Sequence, residues 1–156
     1  LGADVPVCLA ATTAEMRGIG DIIVPRLGGP ELDLLLVNPN RPLSTASVFG
    51  ALDAPKIASR PSVIPENGNG SDGYLAALSD KRNDLTGPAC DLCPDIGDVL
   101  EMLSGLTDCT LARMSGSGPT CFGVFEDQKS CARAARMVSD AQPGWWVCPT
   151  RTHTAL

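Results

Sequence analysis

Three groups of residues in this chain have types and spacings that suit chemistry. They are Asp4 within Leu1-Gly2-Ala3-Asp4-Val5-Pro6, the pair Thr45 and Phe49, and the run Ser115-Gly116-Ser117-Gly118-Pro119-Thr120. The run is the most informative. Gly116 and Gly118 let the backbone take positive φ and approach a neighbour closely, and successive amides in such a bend can form a concavity that suits an anion. A plain hairpin turn is the competing reading. A dinucleotide fingerprint would need a third glycine and a following helix, where Cys121-Phe122-Gly123-Val124-Phe125 is strand-like. A Walker phosphate loop ends in Gly-Lys-Ser/Thr, and no lysine is near. A nucleophile elbow needs Gly-x-Ser-x-Gly, a frame that neither Ser115 nor Ser117 has. Asp4, just before an apolar run, has the ordinary position of a helix cap or turn residue. Thr45 and Phe49 lie one helical turn apart and share a face, which equally suits a capping Thr and a core Phe. His153 lies in a polar tail and is not expected to act as a base.

The elements that must position these groups follow from periodicity and breakers. Ala14 to Arg17 and Ile22 to Val24 predict two strands turning near Gly18 and Gly20. Gly28-Gly29-Pro30 marks a boundary. Leu32 to Val37 predicts a buried strand, stopped by Asn38-Pro39-Asn40. Ser44 or Thr45 caps a helix start. Residues 53–73 predict a long surface loop, 74–78 a short helix, and the stretch after Asn83-Asp84-Leu85 a second, proline-marked loop. Apolar positions 96, 99, 100 and 103 predict a helix with Pro94 in its first turn and Gly105 at its end. Strands flank the glycine run on both sides. Residues 128–141 predict a helix capped by Asp127, Trp145 to Cys148 a last strand, and 151–154 a fraying end. Helices packed on one face of an antiparallel sheet make an α+β sandwich.

The 156 residues suffice for one core, or for a domain plus part of another. Aromatics make up only 4%, so Leu, Val, Ile and Ala must fill that core, and a net charge of −6 argues against nucleic acid or anionic membrane as a main partner. Seven irregularly spaced cysteines fit a reducing cytoplasm. Cys90-Asp91-Leu92-Cys93 has no second pair, so neither zinc nor redox chemistry is expected. No apolar run approaches the ~20 residues that span a bilayer.

The wording Ser115-Gly116-Ser117-Gly118-Pro119-Thr120-Cys121-Phe122 resembles the third motif of the GHMP small-molecule kinases. Leu1-Gly2-Ala3-Asp4-Val5-Pro6 is similar to a second signature of one branch, which acts on 4-diphosphocytidyl-2-C-methylerythritol in bacterial isoprenoid synthesis. The resemblance implies a GHMP kinase C-terminal domain over residues 29–156, ferredoxin-like, with an antiparallel sheet and helices on one face. Residues 1–28 would be the last strands of a ribosomal-S5-like, ATP-binding N-terminal domain. The implied reaction moves the γ-phosphoryl of ATP, with Mg²⁺, to the 2-hydroxyl of the acceptor. Asp4 would face that hydroxyl. A carboxylate of pKa ~4 cannot deprotonate an alcohol outright, but it can orient the hydroxyl and receive its proton as the bond to phosphorus forms. Thr45 would line the acceptor pocket, Phe49 would stack on cytosine, and Gly116, Ser117 and Gly118 would lie against acceptor and phosphates, with no protein-held metal.

Implied partners are the small cytidine diphosphate substrate and an N-terminal part of the same enzyme, with no nucleic acid and no membrane. The setting would be the bacterial cytoplasm. Asn40 and Arg41 depart from the family's usual wording just before Thr45. The family's glycine-rich ATP loop and a helping lysine are not in this sequence, so the chain alone is expected not to turn over ATP. Two other readings stay open: a GHMP kinase for another small alcohol such as mevalonate or homoserine, and a non-catalytic α+β ligand-binding module.

Overall fold

Along Asp33-Leu34-Leu35-Leu36-Val37-Asn38 the side chains alternate between buried and half-buried. That period of two marks strand β3 (Asp33–Asn38), the axis of the sheet, in a computed structural model that describes residues 5–10, 14–18, 22–25, 29–52 and 70–153. Ahead of it come α1 (Val5–Ala10) and an antiparallel hairpin of β1 (Ala14–Arg17) and β2 (Ile22–Pro25). The main sheet adds β4 (Cys109–Met114), β5 (Cys121–Phe125) and β6 (Trp146–Arg151) in the order β4-β5-β3-β6, all antiparallel. Pro149 is tolerated because β6 is an edge strand, where a missing N–H breaks no ladder. Across β3, Val37 pairs with Cys121 on one side and with Val147 on the other.

Helices α2 (Thr45–Ala51), α3 (Gly70–Ser79), α4 (Thr86–Leu92), α5 (Asp95–Ser104) and α6 (Gln128–Ala141) complete the described chain. The spacing of Ile96, Val99 and Leu103 puts all three on one face of α5, and none retains any solvent exposure. On α6, Cys131, Ala134, Ala135 and Val138 are the buried apolar positions, beside the buried Ser130. Both helices enter one cluster with Leu35, Val37, Met114, Cys121 and Phe125, so they cover the same sheet face. Each large aliphatic side chain so buried contributes about 1.5–3 kcal/mol, and that face holds the sheet rigid behind the β4–β5 connection.

Several expectations stand. The hairpin, the helix of residues 95–104, the strands around the glycine run and the helix of 128–141 are all present. Asp127 caps the last by accepting from the Ser130 amide at 2.7 Å. Three expectations need correction. The surface loop expected over 53–73 gives way at Gly70, where α3 begins, and residues 53–69 lie outside the described residues. The proline-marked loop after Leu85 is instead α4, because Pro88 falls in the first turn, where a helix leaves its N–H groups unpaired anyway. The end expected to fray is pinned: β6 runs to Arg151, the Leu32 amide donates to Thr152 Oγ1 at 2.8 Å, and the Thr152 amide donates back to the Leu32 carbonyl at 3.0 Å.

Candidate functional site

Between β4 and β5 the chain turns through residues 115–120. Gly116 has φ 54° and Gly118 has φ 79°, a region L side chains rarely enter, and the Gly118–Pro119 peptide is cis. A Cβ on Gly118 would sit 2.7 Å from Met114 Sδ and 3.3 Å from Ile96 Cδ1, so core packing as well as backbone shape demands glycine there. A Cβ on Gly116 would meet nothing within 4 Å, which leaves that side of the loop open. Two internal bonds close the turn: the Ser115 amide donates to the Thr120 carbonyl and the Gly118 amide to the Ser115 carbonyl, both at 2.9 Å.

Three side chains from elsewhere hold the loop. Asn83 Nδ2 donates to the Met114 carbonyl at 3.0 Å and to the Gly116 carbonyl at 2.7 Å. Asn38 Nδ2 donates to Thr120 Oγ1 at 2.9 Å. Thr45 Oγ1 and Ser117 Oγ share a hydrogen bond of 2.9 Å. Thr45 is delivered by α2, whose N-cap Ser44 accepts from the Ser47 amide at 3.3 Å and whose Val48 is fully buried. Phe49, one turn beyond Thr45, keeps 57% of its surface exposed. An aromatic ring left so open on a capped helix is available to stack on a flat partner.

The structure therefore joins four of the six expected site residues. Thr45 meets Ser117 directly and Gly116 and Gly118 frame Ser117, while Phe49, outside these four, lies on the helix that carries Thr45. Of the two readings open for this pair, a core Phe at position 49 does not fit its exposure, and of the two candidate caps it is Ser44 that caps α2. Asp4 lies outside the described residues. Asn38 and Asn83 were not expected at the site. Both announced only a local turn: Asn38 Oδ1 accepts from the Asn40 amide at 2.7 Å and Asn83 Oδ1 from the Leu85 amide at 3.0 Å, the habit of an Asx turn. Their long-range bonds leave no mark in local sequence.

Burial pushes the thiol of Cys121, the first residue after the loop, up to about 12, and that of Cys131 up to about 11. Cys90 is raised as well, first by desolvation and then by Asp91. These thiols stay protonated at neutral pH and supply no nucleophile. Among the described residues no three His, Cys, Asp or Glu side chains converge to hold a metal ion, and no helix is long and apolar enough to cross a membrane. A cleft of about 320 Å³ opens at the same end of the sheet, between Asn40 and Arg41, the first turn of α5 at Asp95 and Asp98, and Trp145. It shares no residue with the loop. Its Arg41 Nε donates to Asp95 Oδ1 at 2.9 Å, so its principal cation is spent on its own neighbour.

Known proteins resemble this chain in sequence and fold. Residues 72–144 match the family model described as GHMP kinases C terminal. A relative from Paramagnetospirillum magneticum, named 4-diphosphocytidyl-2-C-methyl-D-erythritol kinase, is 42% identical over 151 residues, covering 97% of this chain and 52% of the relative. A solved 4-(cytidine 5'-diphospho)-2C-methyl-D-erythritol kinase superposes with a TM-score of 0.71 at 30% identity, covering 97% of this chain and 54% of the other. The homoserine kinase of Cytophaga hutchinsonii shares the fold, with a TM-score of 0.67 at 15% identity over 96% of this chain and 50% of that one. The chain thus spans about half the length of the curated relatives it matches.

Proposed function

We propose that this chain, which resembles the GHMP kinase C-terminal domain, forms the acceptor side of a small-molecule kinase. That kinase phosphorylates the 2-hydroxyl of 4-diphosphocytidyl-2-C-methyl-D-erythritol on the non-mevalonate route to isoprenoids, in the bacterial cytoplasm. The observation that carries this reading is the 2.9 Å bond between Thr45 and Ser117, which ties the first turn of α2, the helix that also carries the exposed Phe49, to the glycine loop. An aromatic face for a base, two hydroxyls for a polyol and an open bend with outward amides are what an acceptor made of a nucleobase, a diphosphate and a sugar alcohol requires. The relatives' printed names point to the same acceptor.

In this reading residues 29–156 form the C-terminal domain and 1–28 belong to an ATP-binding N-terminal domain. Phosphoryl transfer passes through a loose transition state, so the protein contributes mainly position and charge stabilisation. Thr45 and Ser117 hold the acceptor by their hydroxyls, and Phe49 stacks on cytosine. The amides of Gly116 and Ser117, which have no acceptor among the described residues, receive anionic oxygens, and Asp4 takes the proton of the attacking hydroxyl as the new bond forms. ATP is the donor, and Mg²⁺ neutralises charge on its phosphates, an ion that needs few protein ligands when phosphates and water supply the rest.

Calorimetry of the 156-residue chain with cytidine diphosphate tests the acceptor assignment. Saturable binding is expected, weakened roughly tenfold by Phe49→Ala, because stacking on a base contributes about 1–3 kcal/mol. No binding by the wild-type chain, or full affinity in Phe49→Ala, overturns it.

A further inference from the structure

Asn83 makes more specific bonds than any turn needs. It sits between α3 and α4, and every polar atom of its side chain is committed: Oδ1 to the Leu85 amide, and Nδ2 to the carbonyls of Met114 and Gly116, which lie 31 and 33 residues away. Its own carbonyl accepts from the Thr86 amide at 3.1 Å. The segment it stands on is tied to the same strand a second time, since Arg113 Nη1 donates to the Leu78 carbonyl at 3.0 Å. Asn83 is thus a fixed post against which the loop is held.

The consequence lies on the far side of the loop. A trans peptide is planar, with its C=O and N–H pointing in opposite directions, and Gly118–Pro119 is the cis peptide here, so the Gly116–Ser117 peptide is trans. Drawing the Gly116 carbonyl to Asn83 therefore turns the Ser117 N–H away from Asn83. The neighbouring amides of Ser115 and Gly118 are used inside the loop. Among the described residues no group accepts from the Ser117 N–H, and a Cβ at Gly116 would meet nothing within 4 Å. The Gly116 N–H likewise has no acceptor among the described residues, but the Ser117 N–H is the donor whose outward direction the remote Asn83 side chain sets.

We propose that Asn83 is a positioning residue, which fixes the Gly116–Ser117 peptide so that the Ser117 amide donates to an anionic phosphoryl oxygen of the acceptor. The proposal rests on the acceptor reading above. It differs from a purely structural role in one respect: Asn83 matters for the phosphate portion of the ligand and not for the nucleoside portion.

The test compares cytidine with cytidine diphosphate, titrated into the wild-type chain and into Asn83→Ala, with affinities read from amide shifts in ¹⁵N-resolved NMR spectra. Asn83→Ser serves as the second variant, because its hydroxyl can still accept from the Leu85 amide while being too short to span both carbonyls. Losing one well-aimed donor to a charged oxygen is expected to weaken cytidine diphosphate about tenfold, while cytidine changes by less than about twofold. The Ser117 amide is expected to shift strongly on adding the diphosphate to wild type and weakly in the variants. Equal weakening of both ligands, or none of either, overturns the proposal while leaving the acceptor reading intact. A wild-type chain that binds neither ligand overturns the acceptor reading, and this proposal falls with it.

Discussion

Two polar regions sit at one end of the same sheet and are built in opposite ways. In the cleft, charge answers charge: Arg41 pairs with Asp95 at the surface, with 61% of the arginine side chain exposed. In the glycine loop no charged side chain takes part. Neutral amides and hydroxyls from Asn38, Thr45 and Asn83 converge on a backbone bend. A region whose charges pair internally offers a ligand little unmet demand. A loop whose Gly116 carbonyl is held from behind presents the Ser117 N–H forward, at no reorganisation cost when an anion arrives. Asn38 touches both regions, donating to Thr120 with one end of its amide and accepting from Asn40 with the other.

The largest effect that could break this contrast is a glycine replaced in each region. Gly118→Val is expected to destabilise the fold by about 3 kcal/mol, through positive φ and a Cβ driven into Met114. Gly144→Ala, where a Cβ meets nothing within 4 Å, should stay within about 0.5 kcal/mol of wild type. Urea denaturation measures both. Equal losses would mean that the loop is no more tightly specified than the cleft.

Asn38→Ala comes next. It leaves the half-buried Thr120 hydroxyl without its donor, a loss of about 1 kcal/mol. Because Asn38 bridges the two regions, amide shifts are expected at Asn40 as well as at Thr120. Shifts confined to one region would show that the regions are independent.

Cys121 reports on the loop from below. With its thiol pushed up to about 12, it is thiolate to roughly one part in ten thousand at pH 8. Alkylation of the native chain should therefore be slow at Cys121, and a raised pKa means that the thiolate fraction climbs about tenfold per pH unit until that value is passed. Gly118→Val should speed the reaction by opening the loop. Alkylation of Cys121 as fast in wild type as in the variant would contradict a closed, rigid bend.

Elements whose residues all answer to one local rule could be read from sequence. Helix α6 was legible to the residue, because Asp127 and Ser130 set its start and its apolar period set its face. The strand pair around the loop was equally plain. A lone proline suggests a loop, yet Pro88 stands in the first turn of α4, which tolerates it, and local sequence does not separate the two cases. At the site, Thr45, Phe49, Gly116, Ser117 and Gly118 were named on the strength of a resemblance, whereas their meeting depends on tertiary structure. Asn83 was invisible because its local role is complete in itself, and only the fold brings the carbonyls of residues 114 and 116 within reach.

The smallest expected effect is also the most diagnostic. Arg41→Gln removes the guanidinium from the cleft and frees Asp95. An exposed ion pair loses side-chain entropy on forming and is screened by salt, so such pairs contribute little to stability. The hydrogen bond to Asp95 raises the pKa of Arg41, but a guanidinium is charged at every working pH in either state, so no pH dependence of stability should arise from it. Melting temperature and cytidine diphosphate affinity should both match wild type within error, at low and at high salt. The cation of the cleft would otherwise be the natural candidate for a phosphate contact. If Arg41→Gln weakened the diphosphate tenfold and spared cytidine, the anion would be held by a side-chain charge instead of a backbone amide, and the division of labour between loop and cleft would have to be reversed.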